Sequence, residues 1–274
     1  MSKVFTKKEF KMGNIPRLEA FGAVGAIVRR ELQASPAVIA GLIYGSVLRG
    51  DYSVRSDIDV ILLYPYEQHG AVVALQQHLQ SVAQTRFIPM RTIAVDVDLA
   101  RHGDHMFFPM YHEHLRMAAA SGGVVKDDPN NWIEPKAMTY RVEAHGYLTQ
   151  KSGGFDRVTE LLPLATEEQV AVALSKALSF PIHAARKMLQ CLAPDWMGDD
   201  DGKATVAALY PRLGIAGGVD LFFELLGFER MYAEGLAELM VRPDGALYGA
   251  LLERLKPALP LARQFARVNL LALR

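Results

Sequence analysis

Apolar residues recur at Ile15, Leu18, Phe21, Val24, Ile27, Val28 and Leu32. This three-and-four spacing marks one face of a helix over 14–33, with Asn14 as N-cap and Pro36 as the stop. Residues 38–44 and 58–64 are short apolar runs of strand length, the second interrupted only by Asp59. Residues 71–84 return to helical spacing. Residues 92–99 alternate near their end, with Asp96 and Asp98 on one face and Val95, Val97 and Leu99 on the other. The first hundred residues therefore read α-β-β-α-β.

Beyond them the pattern is mostly helical. A helix fits 107–120, and 122–125 suits a short strand. Thr166 and Gln169 form a capping-box pair that opens a helix reaching about 192, bent or interrupted at Pro181. Further helices fit 204–210, 219–240 and 246–271, the last broken at Pro257 or Pro260. Residues 194–203 read as a loop, with Asp199–Asp201 a solvated acidic turn. Residues 1–13 are polar and are expected to be loose. The fold class is α+β, with an N-terminal α/β domain over 1–130 and a mostly helical domain over 131–274.

Charge and cysteine content narrow the options. Among 274 residues, 30 Lys and Arg balance 30 Asp and Glu. A protein that coats nucleic acid needs a basic excess, so this balance argues against that class. The single cysteine, Cys191, cannot make an internal disulfide or a multi-cysteine metal site. No apolar run approaches the ~18 residues of a membrane span, and no apolar stretch follows the charged start as in a secretory signal. A cytoplasmic protein without a membrane partner is the expectation.

The stretch that carries chemistry is 42–60. An apolar strand runs into Gly45-Ser46, and ten residues later Asp57-Ile58-Asp59 opens the next strand. Residues i and i+2 of a strand share a face, roughly 6.5–7 Å apart, so Asp57 and Asp59 direct two carboxylates to one place. Two such groups repel unless a cation sits between them. Mg²⁺ suits the position, because it takes one or two carboxylates and completes its shell with water and phosphate oxygens. If the strand bearing Asp96 and Asp98 is a neighbour, a third carboxylate joins, and three can hold two metal ions about 3.5–4 Å apart. Gly45 allows close approach of a phosphate, and Ser46 offers a hydroxyl and an amide. Arg49 and Arg55 are available as positive charges.

Gly45-Ser46, the ten-residue interval, Asp57-Ile58-Asp59-Val60 and the later Ala94-Val95-Asp96-Val97 together resemble the nucleotidyltransferase superfamily that includes DNA polymerase beta. The resemblance covers about 38–130 and is closest to the small bacterial aminoglycoside nucleotidyltransferases and the minimal nucleotidyltransferases. It implies a mixed sheet with flanking helices, followed by a helical domain that binds the acceptor. It also implies two Mg²⁺ ions, an NTP such as ATP, and transfer of a nucleoside monophosphate to an acceptor hydroxyl. Asp57 and Asp59 would ligate metal, with Asp96 as the third carboxylate and Asp98 as its alternative. Gly45 and Ser46 would hold the triphosphate, with Arg49 and Ser56 beside them as nucleotide-binding candidates.

The acceptor is expected to be a small molecule such as an aminoglycoside. A partner protein or a tRNA 3′ end is the alternative, in the manner of toxin–antitoxin nucleotidyltransferases. A non-catalytic nucleotide-binding regulatory module is the reading of another class. Simpler roles stand beside the chemical ones: Asp57 as a turn cap after Ser56, Asp98 as a strand end, and Tyr44, Tyr64 and Tyr66 as packing. His102, His105, His112 and His114 crowd together, but their spacing matches no zinc motif.

Overall fold

The structure is a computed structural model that describes residues 3–193, 195–196 and 202–274. The acidic turn Asp199–Asp201 lies outside the described residues. The chain forms two compact units. One is built on Ile15–Thr139; the other joins the described N-terminal residues up to Asn14 with those from Tyr140 onward, Gly202 excepted. The division thus falls at 139/140 rather than after 130.

The N-terminal segment also departs from expectation. Residues 3–13 are ordered against the helical unit, because the segment carries two aromatics and a capping box. Helix α1 (Lys7–Met12) starts at Thr6, whose side chain accepts from the Glu9 amide while Glu9 accepts from the Thr6 amide. Phe5 is fully buried, and its amide donates to the Tyr232 hydroxyl at 2.7 Å.

In the first unit, helix α2 (Leu18–Ala34) leads into strand β1 (Ala40–Tyr44). A single turn of helix, α3 (Ser46–Arg49), and a loop connect it to β2 (Ile58–Tyr64). Helix α4 (His69–Gln84) crosses over to β3 (Met90–Asp96). The sheet order is β1-β2-β3, with β1 antiparallel and β3 parallel to β2. This is a small mixed sheet within an α+β chain. Helices α5 (Val97–Arg101) and α6 (Pro109–Ala118) follow. The strand expected at 122–125 is reduced to one bridge, Val124 opposite Leu42 on the free edge of β1.

Strand alternation divides the core in two. Ile43, Ile58, Val60 and Leu62 pack against Phe21, Val24 and Val28 of α2 and Val72 and Leu79 of α4. Leu42, Tyr44, Ile61 and Leu63 pack on the other side against Phe107, Leu115, Ala118 and Ile133. Gly123 sits where a Cβ would lie 2.3 Å from the Ile43 carbonyl oxygen, so this backbone seats directly on β1.

The second unit is helical: α7 (Tyr140–Leu161), α8 (Glu167–Leu192), α9 (Lys203–Leu209), α10 (Gly218–Val241), α11 (Gly245–Leu255) and α12 (Ala258–Ala272). The Thr166–Gln169 capping box opens α8, which continues through Pro181. The chain breaks at Pro257, between α11 and α12. Its core is aromatic, with Phe180 edge-on to Phe155 and Phe265 at ring separations of 5.1 and 5.8 Å. The buried Tyr210 hydroxyl donates to Asn269 Oδ1 at 2.8 Å. Among the described residues, no helix is long and apolar enough to cross a membrane.

Candidate functional site

The site is built where β1 ends and β2 begins. Tyr44 and Asp59 are direct partners in the antiparallel ladder, so both side chains leave the same face of the sheet. After Tyr44 the chain must turn sharply into α3. Gly45 makes this turn with φ +83° and ψ −159°, a conformation that side-chain-bearing residues rarely adopt. It also lies against the acid: a Cβ at Gly45 would sit 3.0 Å from Asp59 Oδ2. Ser46 begins α3, where its amide has no acceptor within the helix. Arg49 ends α3 with its guanidinium 3.3 Å from Asp51 Oδ1.

Asp57 immediately precedes β2, and Asp59 is its second residue. Burial pushes the Asp59 carboxyl up to about 7, and the negative charge of Asp57 pushes the same way; Arg91 and Arg49 oppose them. The two acids therefore lie near enough to interact, with Asp57 in the loop just before the strand rather than on it. Ser56 closes the preceding loop: its Oγ accepts from the Ser53 amide at 3.0 Å, and its own amide donates to the Ser53 carbonyl. Arg55 in that loop is buried.

Asp96 does not join them. Strand β3 is indeed the neighbour of β2, but the parallel register sets Asp59 opposite Arg91 and Tyr64 opposite Asp96. At about 3.3 Å per residue, the five steps between these pairs place Asp96 roughly 16 Å along the strand from Asp59. The odd number of steps also puts it on the other face. The Asp96 carboxylate instead caps α5, accepting from the amides of Asp98 and Leu99 at 2.9 and 3.1 Å. That cap ends β3 at 96, earlier than the alternation suggests. Asp98, the alternative third acid, is exposed on α5, 3.9 Å from Arg101.

The residue that does stand beside Asp59 is Arg91, which the sequence reading passes over. It is exposed. Its charge reaches Tyr44 and Tyr111 as well as Asp59. An aromatic wall completes this face. The Tyr44 and Tyr111 hydroxyls are hydrogen-bonded at 2.6 Å. His114 lies edge-on to Tyr44 at 5.7 Å, and Phe107 stacks on Tyr111 at 5.5 Å. Burial and the Asp59 charge hold the Tyr44 phenol far above its ordinary range, so it stays protonated. Tyr111 and His114 sit at positions 111 and 114 of α6, a helical spacing that could have marked them as one face.

The other histidines serve separate purposes. His105 is buried; its Nε2 donates to the Glu134 carbonyl at 2.7 Å, and its Nδ1 accepts from the Phe107 amide at 2.9 Å. His102 bonds the Asp98 carbonyl. Among the described residues, no three His, Cys, Asp or Glu side chains are grouped to hold a metal.

The residues at the site fit one Mg²⁺ and not two. Asp57 and Asp59 supply two carboxylates on one side, leaving the remaining positions of an octahedral ion to water and phosphate oxygens. A second ion needs a further carboxylate, and the adjacent strand presents a guanidinium there instead. No protein-family model matches the chain, and no curated protein matches it.

Proposed function

We propose that the unit built on Ile15–Thr139 binds a nucleoside triphosphate with Mg²⁺ and transfers its nucleoside monophosphate to an acceptor hydroxyl, which bonds to the α-phosphorus as the bond to the β-phosphate oxygen breaks and pyrophosphate leaves. One observation carries this reading: the charge of Asp57 reaches Asp59, and Asp59 lies against Gly45, whose positive φ brings bare backbone to its carboxylate. Two mutually repelling acids next to an uncapped amide and a glycine backbone suit a magnesium-bound phosphate chain. The mixed sheet and the β1–α3–β2 connection support a nucleotidyltransferase-type topology.

In this mechanism Asp57 and Asp59 would hold the ion, which when bound would supply Lewis-acid charge to the phosphate chain. The backbone at Gly45 and the amide of Ser46 orient the triphosphate. Tyr44 and Tyr111 exclude water from the acid cluster and, being protonated, can donate but not abstract a proton. The acceptor hydroxyl must therefore lose its proton to a group outside the Tyr44–Tyr111 pair. The acceptor is a small hydroxylated molecule such as an aminoglycoside, or a protein or tRNA 3′ end.

The guanidinium at position 91 favours a second reading: a module that holds Mg²⁺-NTP without turnover. Incubation with α-phosphate-labelled NTPs, Mg²⁺ and cell extract distinguishes the two. Transfer of label that Asp57→Ala and Asp59→Ala abolish supports the enzyme. Bound but untransferred NTP supports the module. No NTP binding at all overturns both.

A further inference from the structure

We propose that Arg91 replaces a second metal ion and holds the triphosphate of the bound nucleotide. This rests on the reading of the Asp57–Asp59 site given above and names how that site is completed.

Placement comes from backbone pairing. Arg91 is the ladder partner of Asp59 on β3, so both side chains rise from the same face of adjacent strands, ~4.8 Å apart. Both are the second residues of parallel strands, at the end of the sheet where Gly45 and Ser46 also lie. The Arg91 side chain is exposed, and among the described residues it makes no hydrogen bond or ion pair. A long cation beside Asp59 and not bonded to it retains its donors for a ligand. Arg49, whose charge also reaches Asp59, is engaged with Asp51.

Charge explains why this substitution works. A second Mg²⁺ held by one further carboxylate adds a net single positive charge to a phosphate site. A guanidinium adds the same charge without the carboxylate and without an ion to recruit. Its planar fork also matches two phosphate oxygens, which a point cation does not. The absence of a third acid from this face is therefore compensated rather than left open.

Nucleotide binding tests this directly. ATP, GTP, CTP and UTP, each as a preformed Mg²⁺ complex, are titrated by calorimetry into the full chain and its variants while free Mg²⁺ is varied. Wild type should bind its preferred nucleotide without further strengthening by free Mg²⁺. Arg91→Ala should weaken binding about 10- to 100-fold, in line with loss of charge-assisted bonds, and Arg91→Lys should recover part of it. Arg91→Asp should bind only at high free Mg²⁺, with a steeper dependence on the ion. Arg91 is exposed, so circular dichroism and thermal melting should show all three variants folded. Wild-type affinity in Arg91→Ala would overturn the proposal, as would a wild type that needs extra free Mg²⁺. If Asp59→Asn also leaves binding unchanged, the underlying site assignment fails instead; Asp59 dependence without Arg91 dependence sinks only the role of Arg91.

Discussion

Asp96 and Tyr64 are ladder partners at the end of the parallel β2–β3 pair remote from Asp59. The Asp96 carboxylate is spent on two amides of α5. Asp96→Ala should then cost about 1 kcal/mol of stability, the usual loss on removing a helix cap, and Asp96→Asn much less. Neither should alter nucleotide binding. Urea denaturation combined with a nucleotide titration checks both halves, and loss of binding without loss of stability would return Asp96 to the metal site.

This misplacement shows what the chain's pattern could and could not convey. Residues 58–64 read as a strand because six apolar side chains surround one acid, and the observed β2 has those bounds. The association of Gly45-Ser46 with Asp57-Ile58-Asp59 was legible too, from the ten-residue interval between two strand-length runs. The β2–β3 register was not. A parallel pair is joined by a crossover helix, so no turn geometry fixes which residues face each other. Asp96 and Asp98 alternate like strand residues, yet Asp is also a strong cap, and the local bonds to the Asp98 and Leu99 amides prevail. Arg91 carried no signal, since a lone arginine at a strand start is ordinary until its partner is known. The N-terminal segment did carry one: Thr6 and Glu9 have the capping-box spacing that announced α8 at Thr166 and Gln169.

Asp59 gives the fold a pH dependence. Its folded carboxyl titrates near 7 against an ordinary value of 3.8, so the folded state binds the proton more tightly than the unfolded state. Stability from this group is therefore intact below about pH 4 and lost as pH rises toward 7. Asp59→Asn should be more stable than wild type at pH 8, by about 1–3 kcal/mol for relief of a partly buried charge, with the gap closing at pH 4. Thermal melts across pH 4–8 test this. Mg²⁺ should raise the wild-type Tm at pH 8 and leave that of Asp59→Asn unmoved.

Within the helical unit, Glu143 of α7 and Lys187 of α8 form an ion pair at 3.0 Å, with only 8% and 19% of their side chains exposed. Burial lowers the Lys187 pKa, and Glu143 counteracts the shift. Truncation to Glu143→Ala removes the carboxylate that faces this poorly solvated ammonium, which also lies 5.3 Å over the Tyr147 ring, and should cost about 2–4 kcal/mol. The double variant Glu143→Leu/Lys187→Met should recover most of that loss, as measured by the shift in denaturation midpoint.

Phe87 lies between α4 and β3 with φ +59°, alone among the described non-glycine residues in having a positive φ. Its amide donates to the Gln84 carbonyl, and the Ile88 amide donates to that of Ala83, closing the helix in a left-handed cap. Glycine is the natural occupant of such a cap. Because Phe87 is 44% exposed, Phe87→Gly loses little packing and should gain about 1 kcal/mol, visible as a higher Tm.

The same five-residue turn, 85–89, governs how the chain tolerates changes in length. Side chains on β3 alternate, with Arg91, Ile93 and Val95 on the Asp59 face and Met90, Thr92 and Ala94 on the other. A substitution in the turn alters one side chain. Insertion or deletion of a single residue there exchanges the two faces, withdrawing Ile93 and Val95 from the Phe107 cluster and bringing Met90 or Thr92 beside Asp59. The number of residues in that turn, more than their identity, decides whether a cation or an uncharged side chain borders the acid pair.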